Sequence, residues 1–173
     1  LDLWIAKHRG ADGSLMWQQP VEAGADISPA GLALDPAGNA LVAGSYRNSR
    51  GDDDWHVAKL AASSGAVLWR KVYDSGARDV ASSVAVDAQG NVVIAGASVG
   101  TQAAINVVKN DGATGRTLWQ RSFAGGARAG TSQVAFDGGN NVVVSGFVAS
   151  GTGNDLQVLK YAEIDGSLLW HMA

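Results

Sequence analysis

Apolar and polar residues along this chain alternate in short runs and do not recur at helical spacing. From Val80 to Asp87, Val80, Ser82, Val84 and Val86 alternate with Ala81, Ser83 and Ala85, the period-two signature of a strand. The turn residues Asp87-Ala88-Gln89-Gly90-Asn91 follow, and then a β-branched run from Val92 to Ala97 that suits a strand buried on both faces. A third strand is expected over Ile105 to Lys109. After a tight turn through Asp111-Gly112-Ala113-Thr114-Gly115, a fourth runs from Arg116 to Phe123. No window carries a convincing 3.6-residue apolar period, so helix contributes little.

This four-strand unit repeats. Trp17, Trp69, Trp119 and Trp170 lie 52, 50 and 51 residues apart, and each ends a phrase such as Asp12-Gly13-Ser14-Leu15-Met16-Trp17 or Ser64-Gly65-Ala66-Val67-Leu68-Trp69. Lys7, Lys59, Lys109 and Lys160 stand ten residues before each tryptophan. Asp35, Asp87 and Asp137 stand eighteen after one, and Gly44, Gly96 and Gly146 nine beyond those. Only the stretch from that glycine to the next lysine varies, at 15, 13 and 14 residues. A fixed period of this length marks a repeat array.

Four antiparallel strands every ~50 residues predict an all-β fold, a β-propeller of four-stranded antiparallel blades. A parallel β-helix has shorter coils and does not need two tight hairpins per unit. With strands lettered A to D from the axis outward, the chain reads as a half blade over 1–20 and blades over about 27–73, 79–123 and 129–173, about three and a half blades of a single propeller domain. Closing the ring is then expected to require missing blades or self-association, since open edges recruit partners. Gly38, Gly90 and Asn140 fall where a short hairpin needs positive φ. The aspartates Asp35, Asp87 and Asp137 open those turns, where a carboxylate accepts from backbone N–H groups. No Asp/Asn ladder or bidentate Glu follows to complete a calcium loop. The periodic tryptophans are expected to pack between blades, against small residues such as Ala95, Gly96, Ser145 and Gly146 of the neighbour.

Charge and composition narrow the function classes. A net charge of −3 and a pI near 5.5 provide no basic stripe, so nucleic acid is not an expected partner. No apolar stretch reaches 18 residues, so no membrane span is expected. With no cysteine there is neither a disulfide framework nor a thiol nucleophile. His8, His56 and His171 share no metal-ligand spacing, and no Gly-x-Ser-x-Gly elbow occurs. No catalytic or metal-ligating residue is assigned.

The phrases Val57-Ala58-Lys59-Leu60, Ser64-Gly65-Ala66-Val67-Leu68-Trp69 and Val84-Ala85-Val86-Asp87-Ala88-Gln89-Gly90-Asn91-Val92-Val93-Ile94-Ala95-Gly96 resemble the bacterial β-propeller repeat family of SBBP type. The Gly-x-x-Leu/Met-Trp ending is similar to the tryptophan-docking repeat of quinoprotein dehydrogenases and of the outer-membrane assembly propeller lipoprotein. The resemblance implies a scaffold or binding propeller placed outside the cell, on its surface or in the periplasm. Quinoprotein enzymes stack PQQ on a disulfide of adjacent cysteines and hold calcium with Glu, Asn and Asp. Here cysteine is absent and Glu22 and Glu163 are the only glutamates, so no PQQ and no other cofactor is expected.

Function in a propeller usually breaks the repeat. The invariant lysines therefore read as structural, with stems that pack and ammonium groups that meet turn carbonyls or a carboxylate. The B–C segments Ser45 to Asp54, Ala97 to Ala104 and Phe147 to Asp155 carry the length variation. They share one face with the D–A connections, and variable loops on a rigid scaffold are where binding sites gather. Candidate ligand-binding residues on that face are Tyr46, Arg47, Arg50, Asp52, Asp53, Tyr73, Arg78, Phe123, Arg128 and Phe147. The loop from Tyr46 to Asp54 can meet a charged or sugar ligand, or calcium through its aspartates. The plainer reading, a solvated loop whose charges compensate, is preferred. Two function classes remain: a noncatalytic propeller that binds a protein or glycan, favoured over catalysis, and part of an extracellular polysaccharide-active hydrolase or lyase. Clustered inward aspartates with raised pKa would favour the enzyme; a shallow face with exposed aromatics would favour the binder.

Overall fold

The computed structural model describes residues 3–22, 26–100, 103–150 and 153–173. Among them are fourteen strands and no helix. Strands β1 (Trp4–His8) and β2 (Leu15–Pro20) make a two-stranded sheet. Three four-stranded meanders follow: β3 (Ile27–Leu34) to β6 (Val67–Tyr73) through β4 (Ala40–Arg47) and β5 (Asp53–Leu60); β7 (Arg78–Val86) to β10 (Thr117–Gly126) through β8 (Val92–Val99) and β9 (Ala103–Asn110); and β11 (Ala129–Phe136) to β14 (Leu168–Met172) through β12 (Val142–Ser150) and β13 (Gly153–Tyr161). All pairings are antiparallel. These are propeller blades, three of four strands and one of two.

The blades pack face to face. One apolar cluster, with Leu41, Trp55, Val57, Val84, Val92 and Ile94, joins the sheets that start at β3 and β7. A second, with Val93, Ile105, Val107, Trp119, Val144 and Leu159, joins the sheets that start at β7 and β11. The middle blade is therefore covered on both sides, which is why β9 is buried throughout and β8 at all but its last residue. The β-branched, apolar run of β8 suits that position, and the buried Asn106, Lys109 and Asn110 of β9 are its polar exceptions. Outer strands β2, β6 and β14 remain largely exposed.

One set of contacts recurs at every junction. Lys7 pairs across the sheet with Trp17, Lys59 with Trp69, Lys109 with Trp119 and Lys160 with Trp170; ten residues is the length of that hairpin arm. In the first three pairs both side chains reach the same carbonyl in the next blade. Lys7 Nζ and Trp17 Nε1 donate to the Ala62 oxygen at 2.9 and 3.0 Å. Lys59 and Trp69 donate to Gly112 at 2.7 and 3.1 Å, and Lys109 and Trp119 to Glu163 at 3.3 and 3.1 Å.

The accepting residue is itself held by its own blade. The N–H groups of Ala62, Gly112 and Glu163 donate to Oδ1 of Asn39, Asn91 and Asn141 at 2.9, 3.4 and 3.3 Å. Each asparagine donates its backbone and side-chain N–H to the turn aspartate, Asp35, Asp87 or Asp137. Each aspartate pairs with its own blade's lysine: Asp35 with Lys59 at 2.7 Å, Asp87 with Lys109 at 3.4 Å and Asp137 with Lys160 at 2.6 Å. Lys59 and Lys109 thus bridge their own A–B turn to the following C–D turn. Lys109 is 1% exposed, a burial an ammonium tolerates only when paired.

Gly38 and Gly90 have φ of 78° and 85°, and Asn140 of 60°, as the turn chemistry requires. The tryptophan expectation needs correction. The indoles lie over Gly65, Gly115 and Gly166, the glycines of the repeated phrase itself. A Cβ there would come within 2.6, 2.9 and 2.6 Å of the rings of Trp17, Trp69 and Trp119. Gly96 instead receives Trp55, and Gly146 receives Ile105. The cause is direction: the ring follows its hydrogen bond to the C–D turn and so passes over that turn's glycine. Burial is uneven as well. Trp119 is 5% exposed, Trp17 and Trp69 are half-buried, and Trp170 is 41% exposed.

The B–C segments also differ from expectation. Strand pairing continues to Arg47↔Asp53, Ser98↔Ala104 and Ser150↔Gly153, so the ladder runs into each segment and leaves a shorter turn, 48–52 in the first. Residues 101–102 and 151–152, at the tips of the second and third segments, lie outside the described residues.

Two measurements check this brace. Trp119→Ala should destabilise the fold by ~3–5 kcal/mol in urea unfolding, and Trp170→Ala by ~1–2 kcal/mol because it buries less apolar area. Trp119→Phe, which keeps the ring packing but removes the N–H, should cost about 1 kcal/mol; equal costs for Trp119→Ala and Trp170→Ala would contradict the docking. The second concerns acid. Burial pushes the Asp35 carboxyl up, but the Lys59 ammonium and the Asn39 donors outweigh it and bring the group from 3.8 to about 2. A depressed carboxylate contributes stability that is full above its unfolded value and lost as pH falls through its folded one, here roughly 2–3 kcal/mol. Asp35→Asn should therefore lower the urea midpoint at pH 7, and its deficit against wild type should close between pH ~4 and ~2.

Candidate functional site

The brace occupies the A–B and C–D rim; the opposite rim carries the residues that do not repeat. Its best-defined part lies where the B–C turn of the β3–β6 blade meets the connection from β6 to β7. Asn48 shapes that B–C turn. Its Oδ1 accepts from the N–H groups of Arg50 and Asp52 at 2.9 and 3.1 Å, and its amide donates to Asp54 Oδ2 at 2.9 Å. Gly51 closes the turn at φ 81°. In the D–A connection, Asp74 Oδ1 accepts from the Gly76 N–H at 2.7 Å, and the Ser75 N–H and hydroxyl both donate to Asp79. These are local side-chain-to-backbone turns of the kind Asn and Asp favour.

Ion pairs tie the two connections together. Arg78 Nε donates to Asp53 Oδ2 at 2.7 Å and Arg47 approaches Asp53 at 3.7 Å. Arg50 donates to Asp74 at 2.5 Å. The three arginine side chains are 58–62% exposed. Behind them lies an inter-blade recess of about 190 Å³, whose walls include Trp55, Tyr73, Asp74, Asp79, Asn106 and Ser122. Tyr73 meets Trp55 edge-on, with centroids 6.2 Å apart, and donates its hydroxyl to Asn110 Oδ1 at 2.7 Å. Burial pushes that phenol above its usual range.

The acids here are unusual. Asp54, Asp74 and Asp79 each place a carboxylate oxygen within 4.8 Å of the others. Asp54 and Asp79 are 3% exposed. Burial pushes the Asp79 carboxyl above the ordinary range, the Ser75 hydrogen bonds oppose it, and the Asp54 and Asp74 charges add to the rise. Arg50 and the Gly76 amide hold Asp74 below that range. Among the described residues, the buried side-chain polar atoms left without a partner are Asp54 Oδ1, Trp55 Nε1 and Asn110 Nδ2.

Of the residues expected from sequence, Arg47, Arg50, Asp53, Tyr73 and Arg78 converge at this junction. Asp52 stands in the B–C turn and accepts from the Asp53 N–H. Tyr46 pairs across the sheet with Asp54, and its ring lies 6.5 Å from that of His56. Phe123, Arg128 and Phe147 belong to the next junction: Phe123 packs beside His171 and the inter-blade core, Phe147 lies over Gly130, and the Arg128 carbonyl accepts from Ala149. Sequence reasoning did not single out Asn48, Asp74, Ser75 or Asp79. His56, 2% exposed, meets Glu22 at 2.7 Å on the other side of the blade, and burial lowers its pKa despite that carboxylate.

Two solved propellers resemble the whole chain. Quinohemoprotein alcohol dehydrogenase from Comamonas testosteroni superposes with a TM-score of 0.73 at 15% identity, over 98% of this chain and 32% of that one. Quinohemoprotein alcohol dehydrogenase ADHIIG from Pseudomonas putida HK5 does so with a TM-score of 0.67 at 15% identity, over 99% and 33%. The chain thus spans about a third of the length of either, and at this identity the likeness is one of fold. Its donor set does not fit PQQ: there is no cysteine, Glu22 is engaged with His56 and Arg70, and Glu163 faces Lys109. No curated protein matches the chain. Residues 5–171 match the family model PQQ_2, described as outer membrane protein assembly factor BamB, and the chain belongs to that family.

Proposed function

We propose that this chain is a noncatalytic propeller module that recognises a protein or glycan on the face formed by its B–C and D–A connections. The observation that carries the reading is the contrast between the two rims. One rim spends its hydrogen-bonding groups on a brace repeated at each junction. The other presents non-repeating, exposed Arg47, Arg50 and Arg78 beside a shallow recess. A guanidinium cluster with acids and an aromatic wall suits carboxylate-bearing or hydroxyl-rich ligands.

Asp79, with its raised pKa, and Asp74, held low, favour the second reading, a polysaccharide-active hydrolase or lyase, since acids with separated pKa values can divide acid and base roles. It ranks lower on access. Asp79 is 3% exposed, and the 190 Å³ recess is below the ~300–1,000 Å³ of ordinary ligand pockets. The repeat is read as SBBP type on its Val-Ala-Lys-Leu and Gly-Asn-Val-Val phrases. The outer-membrane description of its family supports placement in the periplasm, on the cell surface or outside the cell; no helix among the described residues is long and apolar enough to cross a membrane. Exposed Trp170, Leu168, Leu169 and Met172 suit coverage by further blades or by a second copy.

A glycan array provides the first probe. Binding should fall at least tenfold in Arg50→Ala and Arg78→Ala, with melting temperatures within a few degrees of wild type, because exposed ion pairs contribute ~0–1 kcal/mol. Gln89→Ala, on the opposite rim, should bind normally. Equal losses at both rims would overturn the assignment, and turnover of a polysaccharide abolished by Asp79→Asn would replace it with the enzymatic one.

A further inference from the structure

Asp54, Asp74 and Asp79 come from three places in the chain: the start of β5, the D–A connection and the start of β7. Their oxygens converge within 4.8 Å, although like charges at that spacing repel. Hydrogen bonds do not resolve the conflict. Asp79 accepts from Ser75 and Asp74 from Gly76 and Arg50. Asp54 Oδ2 accepts from Asn48, and Asp54 Oδ1 is buried with no partner. Arg50 reaches the exposed Asp74, while Asp54 and Asp79 form no ion pair among the described residues. Asp54 Oδ1 is thus a buried carboxylate oxygen without a donor, on a side chain that brings a carboxylate oxygen within 4.8 Å of two other carboxylates, an arrangement that suits a cation.

The repeat supplies an internal comparison. Fifty residues on, at the next junction, Asp54, Asp74 and Asp79 are replaced by Ala104, Ala124 and Ala129. Trp119 repeats Trp69 at the same spacing, so the register is the same. All three acids are present at one junction and all three are missing at the next. Asp2 and Asp155 occupy the Asp54 position in the first and last units, so what sets this junction apart is that all three acids occur together there.

We propose that Asp54, Asp74 and Asp79 bind a hard divalent cation of the calcium class, which ties the B–C turn of one blade to the first strand of the next. An all-carboxylate donor set selects hard cations over zinc or copper. Calcium accepts oxygen ligands in a flexible geometry, whereas magnesium demands a near-ideal octahedron and gives up its waters reluctantly. Three carboxylates brought from three separate chain segments, each with an oxygen within 4.8 Å of the others, suit the more adaptable ion, with water completing its shell on the exposed Asp74 side. The cation site does not presuppose what the loop face recognises, although Arg50 of that face pairs with Asp74.

The test is calorimetric titration of the chelator-treated protein with calcium chloride, beside thermal unfolding with and without calcium. Wild type should show one saturable site and a raised melting temperature, with magnesium at least tenfold weaker. Asp54→Asn and Asp79→Asn should each weaken calcium at least tenfold and lose the calcium-dependent rise. In chelator they should melt at or above wild type, because each removes a repelling charge. Asp165→Asn, in an exposed turn on the opposite rim, should bind as wild type. Absence of a saturable site at millimolar calcium would overturn the proposal, as would unchanged binding in both variants. So would variants that melt well below wild type in chelator, since that would make the acids structural hydrogen-bond acceptors.

Discussion

A single backbone carbonyl in each C–D turn holds this architecture together. The oxygen at Ala62, Gly112 or Glu163 accepts two donors from the preceding blade, an ammonium and an indole N–H. A carbonyl has two lone pairs, so two donors saturate it. The geometry fixes both side chains against one atom and sets the approach of one blade to the next. The remaining groups of the motif serve that atom. Glycine three positions on lets the ring pass over the turn, asparagine anchors the turn from behind, and aspartate orients the asparagine and neutralises the lysine.

Apolar packing supplies the bulk of the cohesion, but it is nondirectional and would allow blades to slide. The polar brace fixes their register at one rim. Its charge is compensated internally, since each buried lysine meets a carboxylate and a carbonyl together. The other rim is thereby released from holding blades together. Its residues vary from unit to unit, and the B–C turn at Asn48 can carry arginines that the other B–C segments lack. Separation of a conserved clamp from a variable face is how a repeat scaffold hosts different sites.

Much of this was legible in the residues. Period two made the strands, and the constant distances between lysine, tryptophan and aspartate marked the units. The turn residues foretold positive φ at Gly38, Gly90 and Asn140. What stayed hidden was anything that depends on direction across a junction. Sequence spacing shows that a tryptophan repeats, but its target depends on where the N–H points, so Gly96 and Gly146 looked as suitable as Gly115 and Gly166. The acid group was hidden for a related reason. Asp54, Asp74 and Asp79 are twenty and five residues apart in sequence, a spacing that fits no loop motif. Only the inter-blade contact makes them neighbours. Their replacement by alanines fifty residues on was a readable signal, but it gains meaning once the three are known to touch.

The clamp has a polarity. At the three described junctions the lysine and tryptophan reach forward along the chain to the turn of the following unit, all in the same sense. A ribosome delivers this array from its first unit onward. When the hairpin bearing Trp69 has emerged, the carbonyl it needs, at Gly112, is still some forty residues from synthesis. Each blade therefore waits, its indole unseated and its lysine half-satisfied, until the next C–D turn appears. Blades are sealed one at a time with a lag of nearly a full repeat, so the growing chain carries one sticky edge, always at its newest blade.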